Sequence, residues 1–371
     1  MPKSVAHITT WGVHCGVAKH LSYWLPHVRR PGVVCAEHPP SWHSSIENWN
    51  TLPSVRCWRR GSADGLMAAA LIAEEHGAGI IHLQWDPSFF SFDAICQYRE
   101  WAGARGIRTV ITAHVLLDIP VYTWETKAVL TLADQFVVGT PAMVEAFHEY
   151  AARFSLTLKR PVRWVPLAAP EMPDDQPAPY DGSPGPLILV WGFLGGLKGH
   201  AETVEAVRRL RAFAPTARLL IAGRAITGEQ RQNVERLRLL AQAAPDWLEI
   251  REAFIADEDL YALCRGADCI VLNHQWKHPS SSGTVAVSVA SGPPVVVSQS
   301  LMFSGYVEAG AVKAVDAPGP DGLLNAILDV LTSDGKALEE GRREMMARIA
   351  APAVAAQYES IYNEILGGNA A

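Results

Sequence analysis

The stretch His278–Ser298, HPSSSGTVAVSVASGPPVVVS, carries the clearest chemistry in the chain. It reads as a polar turn, a short helix, a glycine stop and a buried strand. Ser281 or Ser282 can cap the helix by accepting an orphan backbone N–H. Gly283 lets the backbone approach a ligand with no Cβ in the way. Small residues before a helix N-terminus leave N–H groups free at the positive end of the dipole, which suits a phosphate. Gly292 and Pro293-Pro294 then stop the helix. Val295–Val297 is a β-branched run suited to a strand buried on both faces. The same pattern would also mark an ordinary strand–helix junction of any α/β protein, so the rest of the chain must decide.

Strand-like and helix-like segments alternate from end to end. In the first half the expected strands are Val5–Thr9, Val33–Ala36, Val55–Trp58, Ile80–Trp85, Arg108–His114, Gln135–Gly139 and Val162–Leu167. Helical patterns cover 17–28, 65–76, 92–105 and 124–133, and another helix opens at Thr140-Pro141. Residues 168–186, dense in Pro, Asp and Gly, read as a linker. The second half repeats the alternation, with strands at 187–191, 217–223, 247–253, 269–273, 295–297 and 312–315. A helical tail from Leu338 to Leu366 is broken near Pro352.

Such regularity predicts parallel sheets with right-handed crossovers, hence two doubly wound α/β domains facing a cleft. The expected divisions are a first domain over 1–172, a linker over 173–186, a second domain over 187–350, and a last helix over 351–371. Ligands of such sheets bind at the carboxyl ends of the strands. Those positions hold Trp11-Gly12, Gln84-Trp85-Asp86, His114 and Gly139-Thr140 in the first half. In the second they hold Gly192–Lys198, Gly223-Arg224, Phe254, Asn273-His274 and Ser280–Thr284.

The 371 residues suffice for two ordinary domains. The formal net charge of −6 gives no global signal for nucleic acid. Basic pairs at Arg29-Arg30, Arg59-Arg60 and Lys159-Arg160 suit solvated surface, or an anionic lipid or phosphate. No apolar run reaches membrane-spanning length, and the N-terminus shows no signal-peptide pattern. Six dispersed cysteines without a CxxC pair point to reduced thiols in a cytoplasm. His14, His20, His27, His38 and His43 match no metal-ligand spacing and are read as non-ligands.

Taken in order, these segments resemble the two-domain GT-B glycosyltransferases, and within them the retaining, family-four-like group. Cys15-Gly16-Val17-Ala18-Lys19-His20-Leu21 resembles that group's first loop and helix. Thr112-Ala113-His114 resembles its T-x-H strand end, and Gly192–Gly199 (GFLGGLKG) its GRLxxxKG turn. Ala222-Gly223 resembles its next glycine turn, Leu260–Leu272 its LYxxADVxV segment, and Ser291–Ser298 its xGxPVVxS segment. The C-terminal helix with Tyr358 and Tyr362 resembles the one that returns to the first domain. Phe193 stands where the group carries Arg. The group's pair of glutamates is replaced near Pro279/Ser280 and Val287/Ser288.

The resemblance implies a hexosyltransferase acting in polysaccharide or lipid-linked glycan assembly. The donor would be a sugar nucleotide, UDP- or GDP-linked, with no separate cofactor and no metal. The acceptor would be a glycan, a lipid-linked sugar or a small molecule, and peripheral contact with the inner face of a membrane fits such an acceptor. The main catalytic term would be stabilisation of the departing diphosphate. Lys198 is assigned to it, with Gly195, Gly196, Arg224 and the backbone at Ser281, Ser282, Gly283 and Thr284. Gly12 and Gly16 would let the first loop approach the donor or acceptor. His114 would sit near the reacting sugar, and His82, Gln84 and Asp86 would line the acceptor side. An inverting route would need a base, for which Asp86 is the candidate. Trp11, Trp42, Trp49 and Trp85 fit sugar stacking, a membrane edge or simply core. The competing readings are a degenerate, non-catalytic binding subunit and a sugar-nucleotide epimerase.

Overall fold

The computed structural model describes residues 3–13, 15–39, 49, 52–172 and 185–367. Most of the expected linker, together with His14, Trp42 and His43, lies outside the described residues. The chain divides into two compact units. One comprises Met1–Ala168, His278–Ser281 and Ile349–Ala371, and the other Ala169–Lys277 and Ser282–Arg348.

The first unit is built on a parallel sheet of β1 (Ser4–Thr9), β2 (Gly32–Glu37), β3 (Ser54–Trp58), β4 (Ala78–Trp85), β5 (Arg108–Ala113), β6 (Gln135–Val138) and β7 (Arg163–Trp164). Its order is β3-β2-β1-β4-β5-β6-β7. Side chains alternate across a strand, so each strand feeds two cores. Ala6, Ile8, Ile81, Leu83 and Ile111 join the helices Gly65–Glu75 and Phe92–Arg105 on one face. Val5, Ile80, Val110 and Val137 join Leu21, Trp24, Tyr358 and Tyr362 on the other. The helix Ala351–Ile365 supplies both tyrosines, and Trp24 stacks on Tyr358 with ring centroids 4.4 Å apart.

The second unit carries β8 (Leu187–Trp191), β9 (Arg218–Gly223), β10 (Leu248–Glu252), β11 (Cys269–Leu272), β12 (Val295–Val297) and β13 (Lys313–Ala314), all parallel. Their order is β10-β9-β8-β11-β12-β13. Ile188, Val190, Leu219, Ile221 and Val271 pack against Val204, Val207 and Leu210 of the helix His200–Leu210. In both sheets the order reverses beside the first strand, between β1 and β4 and between β8 and β11. A crevice opens at such a point beyond the strand ends.

The structure departs from sequence expectation in three places. The first helix runs only from Gly16 to Trp24 and passes into a tight turn, Leu25–His27, at Pro26, which lacks the N–H a longer helix needs. The short helix Ser304–Glu308 was not expected, since five residues show no readable period. The third departure concerns the boundary expected at 187–350. His278–Ser281 groups with the first unit, because Leu116 N–H donates to Pro279 O at 2.8 Å and Ser281 N–H to His114 O at 3.1 Å.

Candidate functional site

In the second unit, β8 ends in a glycine turn. Gly192 has φ 121° and Gly223, at the end of β9, has φ 152°, both strained for any residue with a side chain. A Cβ on Gly223 would lie 1.7 Å from Gly192 O. Gly223→Ala is therefore expected to cost roughly 3 kcal/mol through clash and backbone strain. An unchanged melting temperature would refute this.

Beyond the turn, Gly196–Lys198 forms one tight helical turn, closed by Gly199 at φ 60°. A Cβ at Gly199 would lie 2.2 Å from Asn273 Nδ2. That amide donates to Gly199 O at 3.1 Å and to Glu202 Oε2 at 2.9 Å. Gln275 N–H donates to Leu197 O at 2.8 Å. The loop after β11 thus clamps the turn after β8, and the clamp sets Lys198.

Lys198 is half-buried, and its Nζ donates to His274 Nε2 at 2.8 Å. His274 lies 2.8 Å from Met302 Sδ through Nδ1. Burial lowers the Lys198 pKa to about 8. Burial, then the Lys198 charge, pushes His274 well below the ordinary histidine value. His274 is therefore a neutral imidazole whose lone pair faces the ammonium. Gly195 and Gly196 meet nothing closer than 3.4 Å where a Cβ would stand. The Arg224 carbonyl accepts from Leu194 N–H at 3.1 Å. Phe193, in the place of the expected Arg, is exposed.

The helix Gly283–Ser291 begins beside this turn, for a Cβ at Gly192 would meet the Thr284 methyl at 3.2 Å. The expected serine cap is not formed. Ser282 is the N-cap, but its hydroxyl bonds Thr284 Oγ1 at 2.7 Å and makes no capping bond to the first turn. The N–H groups at Ser282, Gly283 and Thr284 thus stand at an uncapped positive dipole end. Ser281 belongs to the other unit, where its N–H is spent on His114 O. Where the resembled group carries its second glutamate, the Ser288 hydroxyl accepts from Trp191 Nε1 at 2.9 Å.

In the first unit, His114 follows β5 and is half-buried. Its Nε2 lies 2.8 Å from Gln84 Oε1, and burial lowers its pKa to about 4. His20 lies beside it, with ring centroids 6.2 Å apart. That neighbour was read from sequence only as a non-ligand, since no spacing links residues 20 and 114. Gly12 is buried at φ 60°, and Gly16 is the exposed first residue of its helix. Thr10 Oγ1 and Trp11 Nε1 are buried without partners beyond the end of β1. Asp86 is half-buried, and its Oδ1 accepts from Ser88 N–H at 2.9 Å and Ser88 Oγ at 2.6 Å, which closes a local turn. His82 and Gln84 do not line an acceptor surface. Both are fully buried inside the sheet, because their alternating positions point at the C-terminal helix.

Among the described residues, no cluster of three or more His, Cys, Asp or Glu side chains is arranged to hold a metal ion. No described helix is long and apolar enough to cross a membrane.

The family described as Glycosyl transferases group 1 matches residues 178–350. No curated protein matches the chain in sequence. Among solved structures, HepE of Anabaena in complex with UDP superposes with TM-score 0.72 at 12% identity, covering 97% of this chain and 100% of that one. Sucrose-phosphate synthase of Thermosynechococcus elongatus gives 0.70 at 16% identity over 99% and 100%. The UDP-forming α,α-trehalose-phosphate synthase of Burkholderia xenovorans gives 0.72 at 15% identity over 100% of both chains.

Proposed function

We propose that this chain, a glycosyltransferase of GT-B fold whose residues 178–350 belong to the glycosyl transferases group 1 family, moves a hexose from a UDP-sugar to a hydroxyl of a glycan, lipid-linked or small-molecule acceptor, with retention at the anomeric carbon. The observation that carries this reading is the second unit's anion-binding geometry. Lys198, clamped by the loop after β11, stands in the turn that follows β8, and a Cβ on Gly192 of the same turn would meet the Thr284 methyl at the start of the helix Gly283–Ser291. An ammonium and a helix dipole end are both suited to the negative charge that grows on a departing diphosphate. In the transfer, the bond from the anomeric carbon to the diphosphate oxygen breaks and the acceptor oxygen bonds that carbon. The acceptor's proton leaves to the released diphosphate. UDP is favoured because HepE of Anabaena is seen with UDP and with UDP-glucose, and one trehalose-phosphate synthase is described as UDP-forming. The first unit offers the neutral His114 ring for a sugar hydroxyl.

Thermal-shift titration with UDP-glucose, GDP-mannose and ADP-glucose tests the reading. A UDP-sugar at a hundred times its Kd is expected to stabilise the protein by about 2.7 kcal/mol, and the other two much less. A larger shift with the GDP- or ADP-sugar would move the donor assignment. No shift with any of them would overturn the reading.

A further inference from the structure

His82, Gln84 and Thr112 occupy strand positions whose neighbours Val5, Ile80 and Val110 are core valines and isoleucines. All three are at most 1% exposed. Buried polar side chains at such positions are tolerated only when every donor and acceptor is matched. Here they form one connected chain. Tyr358 OH lies 3.0 Å from Thr112 Oγ1, and Thr112 Oγ1 lies 2.8 Å from His82 Nε2. His82 Nδ1 lies 2.7 Å from Tyr362 OH. Gln84 Nε2 lies 3.1 Å from His82 Nε2, and Gln84 Oε1 lies 2.8 Å from His114 Nε2. Both tyrosines come from the C-terminal helix.

A carboxamide has one donor end and one acceptor end. With its NH2 on His82 Nε2, that nitrogen is the lone-pair side; the Thr112 hydroxyl donates to the same lone pair and accepts from Tyr358 OH, and the His82 proton sits on Nδ1, donated to Tyr362 OH. With its oxygen on His114 Nε2, that nitrogen must carry the proton. His114 then presents a bare Nδ1. We propose that Gln84, locked in orientation by His82 and the C-terminal helix tyrosines, is a positioning residue that holds His114 as the Nε2–H tautomer, leaving Nδ1 as an acceptor for a sugar hydroxyl. The last clause rests on the role of His114 given above; the tautomer lock does not. The chain also gives the C-terminal helix a function beyond packing, since two of its hydroxyls end the relay.

The test is histidine ring 15N NMR on the full-length protein, with the His114 signals assigned by their loss in His114→Asn. Wild type is expected to show a protonated Nε2 and a bare Nδ1. Gln84→Glu, which accepts but cannot donate, keeps that pattern. Gln84→Leu, which removes the acceptor in an apolar side chain of similar length, yields a mixture of tautomers. Its kcat for UDP release from UDP-glucose then falls about tenfold with KM nearly unchanged, the scale of effect expected from a misplaced catalytic group. A thermal melt of Gln84→Leu close to wild type separates this from loss of structure. A proton on Nδ1 of His114 in the wild type, or an unmixed Nε2–H signal in Gln84→Leu, overturns the lock. A mixed signal with unchanged kcat leaves the lock standing and refutes the role of His114 instead.

Discussion

On the proposed role of Lys198, Lys198→Ala is expected to lower turnover of the proposed UDP-sugar donor by about a hundred- to a thousandfold, the scale of removing one preorganised partner of a developing oxyanion. The lost group is a cation set beside a neutral imidazole by the Asn273–Glu202–Gly199 clamp, and that imidazole carries no charge to replace it. The pH dependence gives a sharper form of the same prediction. Burial lowers the Lys198 pKa to about 8, so the free enzyme loses the cation within the working range. The profile of kcat/KM reports free-enzyme groups. It is expected to be flat below pH 8 and to fall about tenfold per unit above it. Lys198→Arg keeps its charge to far higher pH and should abolish that alkaline limb, even if its absolute rate is reduced by the changed shape. Equal alkaline limbs in wild type and Lys198→Arg would show that Lys198 is not the titrating group.

The second large effect is on stability in mild acid. Burial lowers His7 to about 3 and His114 to about 4, and holds His82 and His20 well below the usual 6.5. His20 is lowered further by His114, and His82 by His7, His20 and His114. A histidine with a depressed folded-state pKa binds fewer protons folded than unfolded. Its full contribution is present above pH 6.5 and is lost as the pH falls from 6.5 toward the folded-state value, about 4 for His114 and about 3 for His7. At pH 5.5 a group lowered as far as His7 costs about 1.4 kcal/mol relative to neutral pH. His20 and His82, at most 3% exposed and held low first by burial, lose stability in the same direction as His7, so the three act together against a domain stability of ordinary size. Melting temperatures at pH 7.5, 6.5 and 5.5 are expected to fall steeply over the last step. His7 has a buried Nδ1 without a partner, so His7→Phe removes one titrating group at little cost in bonding. That variant should lose about 1.4 kcal/mol less than wild type at pH 5.5. Parallel curves for the two proteins would refute the account.

Both predictions rest on groups whose residue types were visible in the sequence but whose surroundings were not. Lys198 was legible as a lysine in a glycine turn after a strand. Its acceptor, His274, stood among the strand-end residues with no assigned role, because a strand–turn register carries no information about a side chain 76 positions away. His82 and Gln84 read as residues lining an acceptor surface, since they end a strand. Their burial depends on a helix from the far end of the chain that covers that face of the sheet. The serine cap was a sound local inference, yet Ser281 is drawn into the first unit and the Ser282 hydroxyl turns to Thr284. Local propensity sets which bonds a hydroxyl can make, and longer-range contacts select among them.

The sequence by itself determined the alternation of strands and helices, and hence two parallel sheets with their glycine turns at the carboxyl ends. Those features follow from short-range rules: side-chain period, β-branching, and the backbone freedom of glycine and proline. Where each strand order reverses, beside β1 and β8, was not written in that alternation and came from the tertiary structure. Tertiary structure alone decided which polar residues meet. It joined His278–Ser281 to the first unit, set His274 against Lys198, and closed the relay from Tyr362 to His114. These pairings join residues up to 280 positions apart. A protonation state is set by burial and by the partner at 3 Å or so, and neither is written in the spacing of residues along a chain.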